Sequence, residues 1–114
     1  MYKLDFNEPD SKAVLSFNGP LTIQNISAIR EAMLSALNKA DIVLIYHYGV
    51  EEFDISYLQI LIAVEKSMTM AGKKLIIKSD GKDAFRKFLE DSGCRNVGWR
   101  YENADLTERG GENE

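Results

Sequence analysis

The stretch that decides the fold runs from Ile42-Val43-Leu44-Ile45-Tyr46 through Gly49-Val50-Glu51-Glu52-Phe53-Asp54 to Ile55-Ser56-Tyr57-Leu58-Gln59-Ile60-Leu61. Its first five residues are apolar and mostly β-branched, without the polar alternation of a half-solvated strand. Such a run suits a central strand buried on both faces, as in parallel sheets. Gly49 ends it. Asp54 then has the chemistry of a helix N-cap, because its short side chain can accept hydrogen bonds from the unpaired N–H groups of a first turn. Phe53 and Leu58 stand at the positions of a hydrophobic staple around it. Apolar residues continue through Leu58, Ile60, Leu61, Ile62, Val64 and Met68 to Gly72, a C′ stop. That length predicts a mostly buried helix. Leu75-Ile76-Ile77 is a second short buried strand, and strand, crossover helix, strand is the unit that builds a parallel sheet.

Working outward, Tyr2, Leu4 and Phe6 alternate with polar residues, and Ala13, Leu15 and Phe17 do the same. Between them, Asn7-Glu8-Pro9-Asp10-Ser11 is turn chemistry, so an N-terminal β-hairpin is predicted. Gly19-Pro20 stops the second strand. Thr22 can cap a helix with Leu21 and Ile26 as its staple, and Ile23, Ile26, Met33 and Leu37 recur at helical spacing as far as about Lys39. Toward the C-terminus, Ser79 or Asp80 can start a third helix with Phe85, Phe88 and Leu89 on its inner stripe and Gly93 closing it. Val97, Trp99 and Tyr101 alternate as a last edge strand. The order is β-β-α-β-α-β-α with an optional final strand. Residues 1–101 are read as one domain and 102–114 as a flexible, acidic tail.

The chain of 114 residues has 45% hydrophobic residues and a formal net charge of −4. That is enough apolar content for a core, and the wrong charge for a phosphate-backbone binder. Lys73-Lys74 and Arg86-Lys87 are short basic pairs of a solvated surface, so no nucleic acid is expected. The longest apolar run, Ile60 to Val64, is too short to span a bilayer. The first residues lack the pattern of a signal peptide. A cytoplasmic protein with no direct membrane insertion follows as the expectation.

Catalytic constellations are not apparent. The one histidine, His47, ends a buried strand, where a structural role is the commoner one, and there is no nucleophile elbow or glycine-rich phosphate loop. The one cysteine, Cys94, follows Gly93 and reads as a small core hydrophobe. Glu51, Glu52 and Asp54 are too few for a hard-cation loop and read as surface acidity beside a cap. No metal, no cofactor and no enzymatic activity are expected.

Three of the quoted stretches carry a resemblance. Gly19-Pro20-Leu21-Thr22 before the first helix, the strand running from Ile42 to the acidic cap at Asp54, and Ile55 to Leu61 followed by Gly72-Lys73-Lys74-Leu75-Ile76 together resemble a STAS domain of the anti-sigma factor antagonist type. The resemblance covers roughly residues 2–101. It implies an α/β fold with a central mixed sheet of four to five strands, an N-terminal β-hairpin and three to four helices. In that family the second helix opens with Asp, a small hydroxyl residue, Ser or Thr, then Gly and Leu, and the second hydroxyl is phosphorylated by a partner serine kinase. Asp54, Ser56 and Leu58 match. Ile55 replaces the first hydroxyl residue, Tyr57 replaces the Gly, and Tyr46 stands where the central strand commonly carries Asp. The resemblance further implies an anti-sigma factor or GHKL-type serine kinase as partner, a weak homodimer as a further association, and a binding surface made of Asp54, Ile55, Ser56, Tyr57, Gln59, Pro20, Leu21 and Thr22.

Phosphorylation at Ser56 has a predictable sign. A first-turn phosphate gains about 0.3–1 kcal/mol from the helix N-terminus. Burying its charge of about −1.5 to −2 against a partner costs several kcal/mol unless it is paired. Modification is therefore expected to weaken binding. The opposing reading is a Ser favoured in a first turn for capping alone. Tyr57 is either a packed residue or an exposed anchor next to Ile55. Two other functions stay open: a constitutive STAS adaptor subunit of a transporter or signalling complex, docking through Ile55 and Tyr57, and a small-molecule or nucleotide sensor whose pocket would use Tyr46, His47 and Tyr48 at the carboxyl ends of the strands.

Overall fold

A computed structural model describes residues 2–80, 84–93 and 100–103. The predicted hairpin is β1 (Tyr2–Asn7) and β2 (Lys12–Phe17). A 3₁₀ turn, Ile23–Asn25, leads into α1 (Ile26–Lys39). β3 (Ile42–His47), α2 (Ile55–Met70), β4 (Lys74–Ser79), α3 (Ala84–Asp91) and β5 (Arg100–Asn103) follow. The five strands lie in sequence order, with β1 antiparallel to β2 and all other neighbours parallel. This is the mixed sheet expected. Tyr101 of the predicted last strand lies in β5, while Val97 and Trp99 lie outside the described residues, as does Cys94. β5 runs two residues past the domain limit expected at 101, with Glu102 and Asn103 paired to Lys78 and Ser79.

The registers stack the inward side chains in ranks. Ala13, Val43 and Leu75 form one, Leu15, Ile45 and Ile77 the next, and Phe17, His47 and Ser79 the last, at the carboxyl ends of the parallel strands. All nine are buried. Against them pack Ile29, Ala32, Met33 and Ala36 of α1, Tyr57, Leu58, Leu61, Val64 and Met68 of α2, and Phe85 of α3.

The opposite face of the sheet carries Val14, Leu44 and Ile76 in one rank and Ser16, Tyr46 and Lys78 in another. Leu44 is shielded by its neighbours but stands outside the core cluster. The middle of β3 is thus buried on both faces as expected, Val43 and Ile45 under the helices and Leu44 on the other side, while Ile42 and Tyr46 on that other side are half-buried.

One helix start also differs from prediction. The segment from Ile23 opens as a 3₁₀ turn, and Thr22 makes no side-chain cap. Ser79 is the buried end of β4, and Asp80 accepts a hydrogen bond from the Gly49 N–H at 2.8 Å, which ties the loop after β3 to the end of β4. Gly49 itself has φ 67°, a left-handed conformation that glycine adopts without steric cost.

Candidate functional site

The loops that leave β2 and β3 run side by side at the carboxyl edge of the sheet. Leu21 N–H donates to Glu52 O (2.9 Å) and Asp54 N–H donates to Leu21 O (3.2 Å), a one-rung parallel bridge between Leu21 and Phe53. Asn25 Nδ2 donates to Pro20 O at 2.8 Å and closes the first loop on itself. These contacts bring the stretch from Gly19 to Thr22 against Asp54, as the grouping of Pro20, Leu21 and Thr22 with Asp54 required.

Asp54 is the hinge of the arrangement. Its Oδ1 accepts from the Ser56 N–H (3.0 Å) and the Tyr57 N–H (3.4 Å), which is the predicted cap of α2. Ser56 Oγ–H donates to the same oxygen. Its Oδ2 accepts from the Ile23 N–H at 2.8 Å, across 31 residues. One carboxylate therefore caps two helical segments. Thr22 makes no side-chain cap of its own; the Asn25 N–H it could serve donates instead to its backbone carbonyl at 2.9 Å. Partial desolvation pushes the Asp54 carboxyl upward, but the bonds from Ser56, Ile23 and Tyr57 outweigh it and hold the group below the ordinary aspartate value.

Tyr57 is 0% exposed. The reading of Tyr57 as a partner-facing anchor is corrected, and so is the placement of Leu21, which is buried as well. Burial of an aromatic ring and a leucine side chain outweighs any surface role. The Tyr57 ring points inward against Phe17 and His47, while Ser56 beside it is half-buried. Ile55 is 57% exposed, Gln59 and Pro20 are exposed, and Thr22 is half-buried. Ile23, which was not singled out, is 63% exposed and extends the apolar patch.

Beneath this surface lies a buried polar chain that no local signal announced. The Tyr57 hydroxyl meets His47 Nε2 at 2.6 Å, and His47 Nδ1 meets Ser79 Oγ at 2.9 Å. With the phenol donating to Nε2, Nδ1–H is left to donate to the serine, so a neutral ring has both nitrogens satisfied. Phe85, Phe53 and Tyr57 surround the imidazole edge-on, with centroids 4.6, 5.0 and 5.6 Å away. Burial pulls the His47 pKa down to about 3 and pushes the Tyr57 phenol well above its ordinary value. The strand alternation that sends Val43 and Ile45 inward also sends His47 inward, and this was the one usable hint.

The same geometry disperses the pocket imagined for a sensor. His47 faces the core, Tyr46 lies on the other side of the sheet, and Tyr48 is exposed, its ring 6.0 Å from that of Tyr46. The described residues contain no cluster of three metal-ligating side chains and no helix long and apolar enough to cross a membrane.

Beside Ser56 opens a groove of about 520 Å³ between α1 and α2. Ile23, Ile26 and Leu34 form one wall, Gln59, Ile60 and Ala63 the other.

No protein-family model matches this chain, and no curated protein does. Solved structures do. The anti-sigma factor antagonist SpoIIAA in its unphosphorylated form is similar with a TM-score of 0.70 and 15% identity, over 91% of this chain and 88% of that one. The Bacillus cell fate determinant SpoIIAA in its phosphorylated form is similar with a TM-score of 0.64 and 15% identity, over 91% of each chain. The chain thus shares the STAS-type fold of SpoIIAA, the fold that the stretches around Gly19 and Asp54 implied.

Proposed function

We propose that this chain is a non-enzymatic, partner-switching regulatory protein of the anti-sigma factor antagonist kind, with Ser56 as its phosphoacceptor. The observation that carries the reading is the Asp54 carboxylate. It binds the starts of two helical segments into one surface and holds the Ser56 hydroxyl at the centre of it. Ile55 and Ile23 flank that hydroxyl as exposed apolar contacts. The partner in this reading is an anti-sigma factor or GHKL-type serine kinase, which docks on Pro20, Thr22, Ile23, Asp54, Ile55, Ser56 and Gln59. A fold shared with an antagonist solved in both unphosphorylated and phosphorylated forms supports it.

In the transfer step Ser56 Oγ forms a bond to the terminal phosphorus of a nucleoside triphosphate held by the kinase. The bridging P–O bond to the departing diphosphate breaks, and the hydroxyl proton leaves its bond to Asp54 and passes to solvent. The product carries a charge of about −1.5 to −2 beside Asp54. Desolvating that charge under a partner costs more than the helix terminus returns, so the modified form is the released form.

The constitutive adaptor is the second reading, favoured by the exposure of Ile55; its docking patch would combine Ile55 with Ile23, Tyr57 being internal. Intact-mass analysis with fragmentation, on protein purified from its own cells under several growth conditions, separates the two. A phosphate on Ser56 supports the switch. An unmodified chain throughout refutes it and leaves the adaptor.

A further inference from the structure

We propose that Arg30 is the intramolecular acceptor of a phosphate on Ser56, so that modification draws the phosphate across the mouth of the α1–α2 groove and covers it. This rests on the phosphoserine reading above and adds to it a defined seat for the phosphate within the chain.

Ser56 and Arg30 line the same groove from opposite helices, and Arg30 is the one charged side chain among its lining residues. Arg30 is exposed and makes no ion pair among the described residues. The axial registry follows from Asp54. Its bond to the Ile23 N–H sets the start of the 3₁₀ turn level with the cap of α2. Both α1 and α2 connect parallel strands and run in the same direction. Ser56 then lies about 3 Å below that level and Arg30 about 12 Å below it, at about 1.5 Å per α-helical residue and about 2.0 Å per residue through the 3₁₀ turn. Helical side chains lean toward the N-terminus, which for Arg30 is toward Ser56.

The other charges near Ser56 act in the same direction. Phosphorylation removes the O–H that Ser56 donates to Asp54 and places two anions side by side. Glu51 and Glu52 precede the cap on the same loop. Repulsion from these three carboxylates leaves the groove side as the favourable direction, and there the guanidinium offers paired N–H donors matched to phosphate oxygens.

The test uses the full chain with phosphoserine installed at position 56 during translation, so no kinase is needed. The second ionisation of the phosphate, near 6 for an isolated phosphoserine, is followed by ³¹P NMR in the otherwise wild-type chain, in Arg30→Gln and in Arg30→Lys. The expected result is a lower midpoint in the wild-type background than in Arg30→Gln, by roughly two- to five-fold in proton affinity, the scale of an exposed charge pair. Arg30→Lys should restore part of the gap through charge alone. One midpoint shared by all three proteins overturns the proposal. An unmodified Ser56 in cells would instead remove the phosphoserine reading and leave this titration result unchanged, so the two failures are distinguishable.

Discussion

Replacing Asp54 with alanine removes, in one step, the N-cap of α2, the acceptor for the Ile23 N–H and the partner of the Ser56 hydroxyl. Loss of an N-cap costs about 1 kcal/mol in typical hosts. Loss of the separate bond to Ile23 adds about 1 kcal/mol, the net worth of a hydrogen bond to protein stability. The site is only half-buried, so water can re-solvate part of what is exposed, and the sum is best set at about 2 kcal/mol. For a domain of this length that corresponds to a fall in Tm of about 10 °C. Asp54→Asn discriminates further. Asparagine caps as well as aspartate, but it keeps one acceptor oxygen where two are needed, so about half the loss should remain. The assay is urea unfolding of the three proteins, with equal m-values as the check that only stability has changed. A loss below about 0.5 kcal/mol in Asp54→Ala, the range of an ordinary surface substitution, would refute the double-cap reasoning.

Other expectations follow from the same geometry. Tyr57→Phe deletes the hydroxyl that satisfies His47 Nε2 and should cost about 1–3 kcal/mol by chemical denaturation, whereas Tyr57→Ala opens a core cavity and should cost about 3–5 kcal/mol. Ile55→Ala should leave stability within about 0.5 kcal/mol yet weaken partner binding, which calorimetry against that partner would measure. His47 binds its proton near 6.5 when unfolded and only near 3 when folded. The unfolded state therefore holds more protons throughout that window, and stability is complete above about 6.5 and declines as pH falls toward 3. The slope approaches 1.4 kcal/mol per pH unit from this residue alone. Denaturation midpoints at stepped pH should show this, and the slope near pH 5.5 should be shallower in His47→Gln. Asp54 adds a second loss at lower pH. Its folded value is depressed, so its contribution is present above the ordinary aspartate range and disappears as pH falls through the folded value.

How far the sequence carried the account differs between elements. The hairpin, α2 and its Asp54 cap were legible because each is encoded locally, by alternation, by turn residues or by a capping side chain at its proper offset. The grouping of Gly19 to Thr22 with Asp54 came from resemblance, and the structure supplies its cause in the bridge between Leu21 and Phe53. The second role of Asp54 was invisible, because a bond across 31 residues leaves no trace in local pattern. Thr22 looked like a local cap, but the segment opens as a 3₁₀ turn in which its backbone carbonyl, not its hydroxyl, takes the Asn25 N–H. Tyr57 was ambiguous because α2 is apolar on most of its surface, so helical periodicity could not tell an inward from an outward position. Its orientation depends on His47 and Ser79, which two neighbouring strands bring beneath it. The groove and Arg30 required the relative placement of two helices, which is a tertiary quantity.

The central claim is that the surface around Ser56 holds a protein partner and releases it when phosphorylated. The most direct measurement is the affinity of that partner, the anti-sigma factor or serine kinase, for the chain with serine and with phosphoserine at position 56, by calorimetry at physiological salt. The account predicts at least a ten-fold weaker complex with phosphoserine: an exposed Arg30 counter-charge returns only about 0.2–1 kcal/mol of the several kcal/mol that burying the phosphate costs, and each 1.4 kcal/mol left over is a factor of about ten. Equal affinities, or tighter binding of the phosphorylated chain, would contradict it.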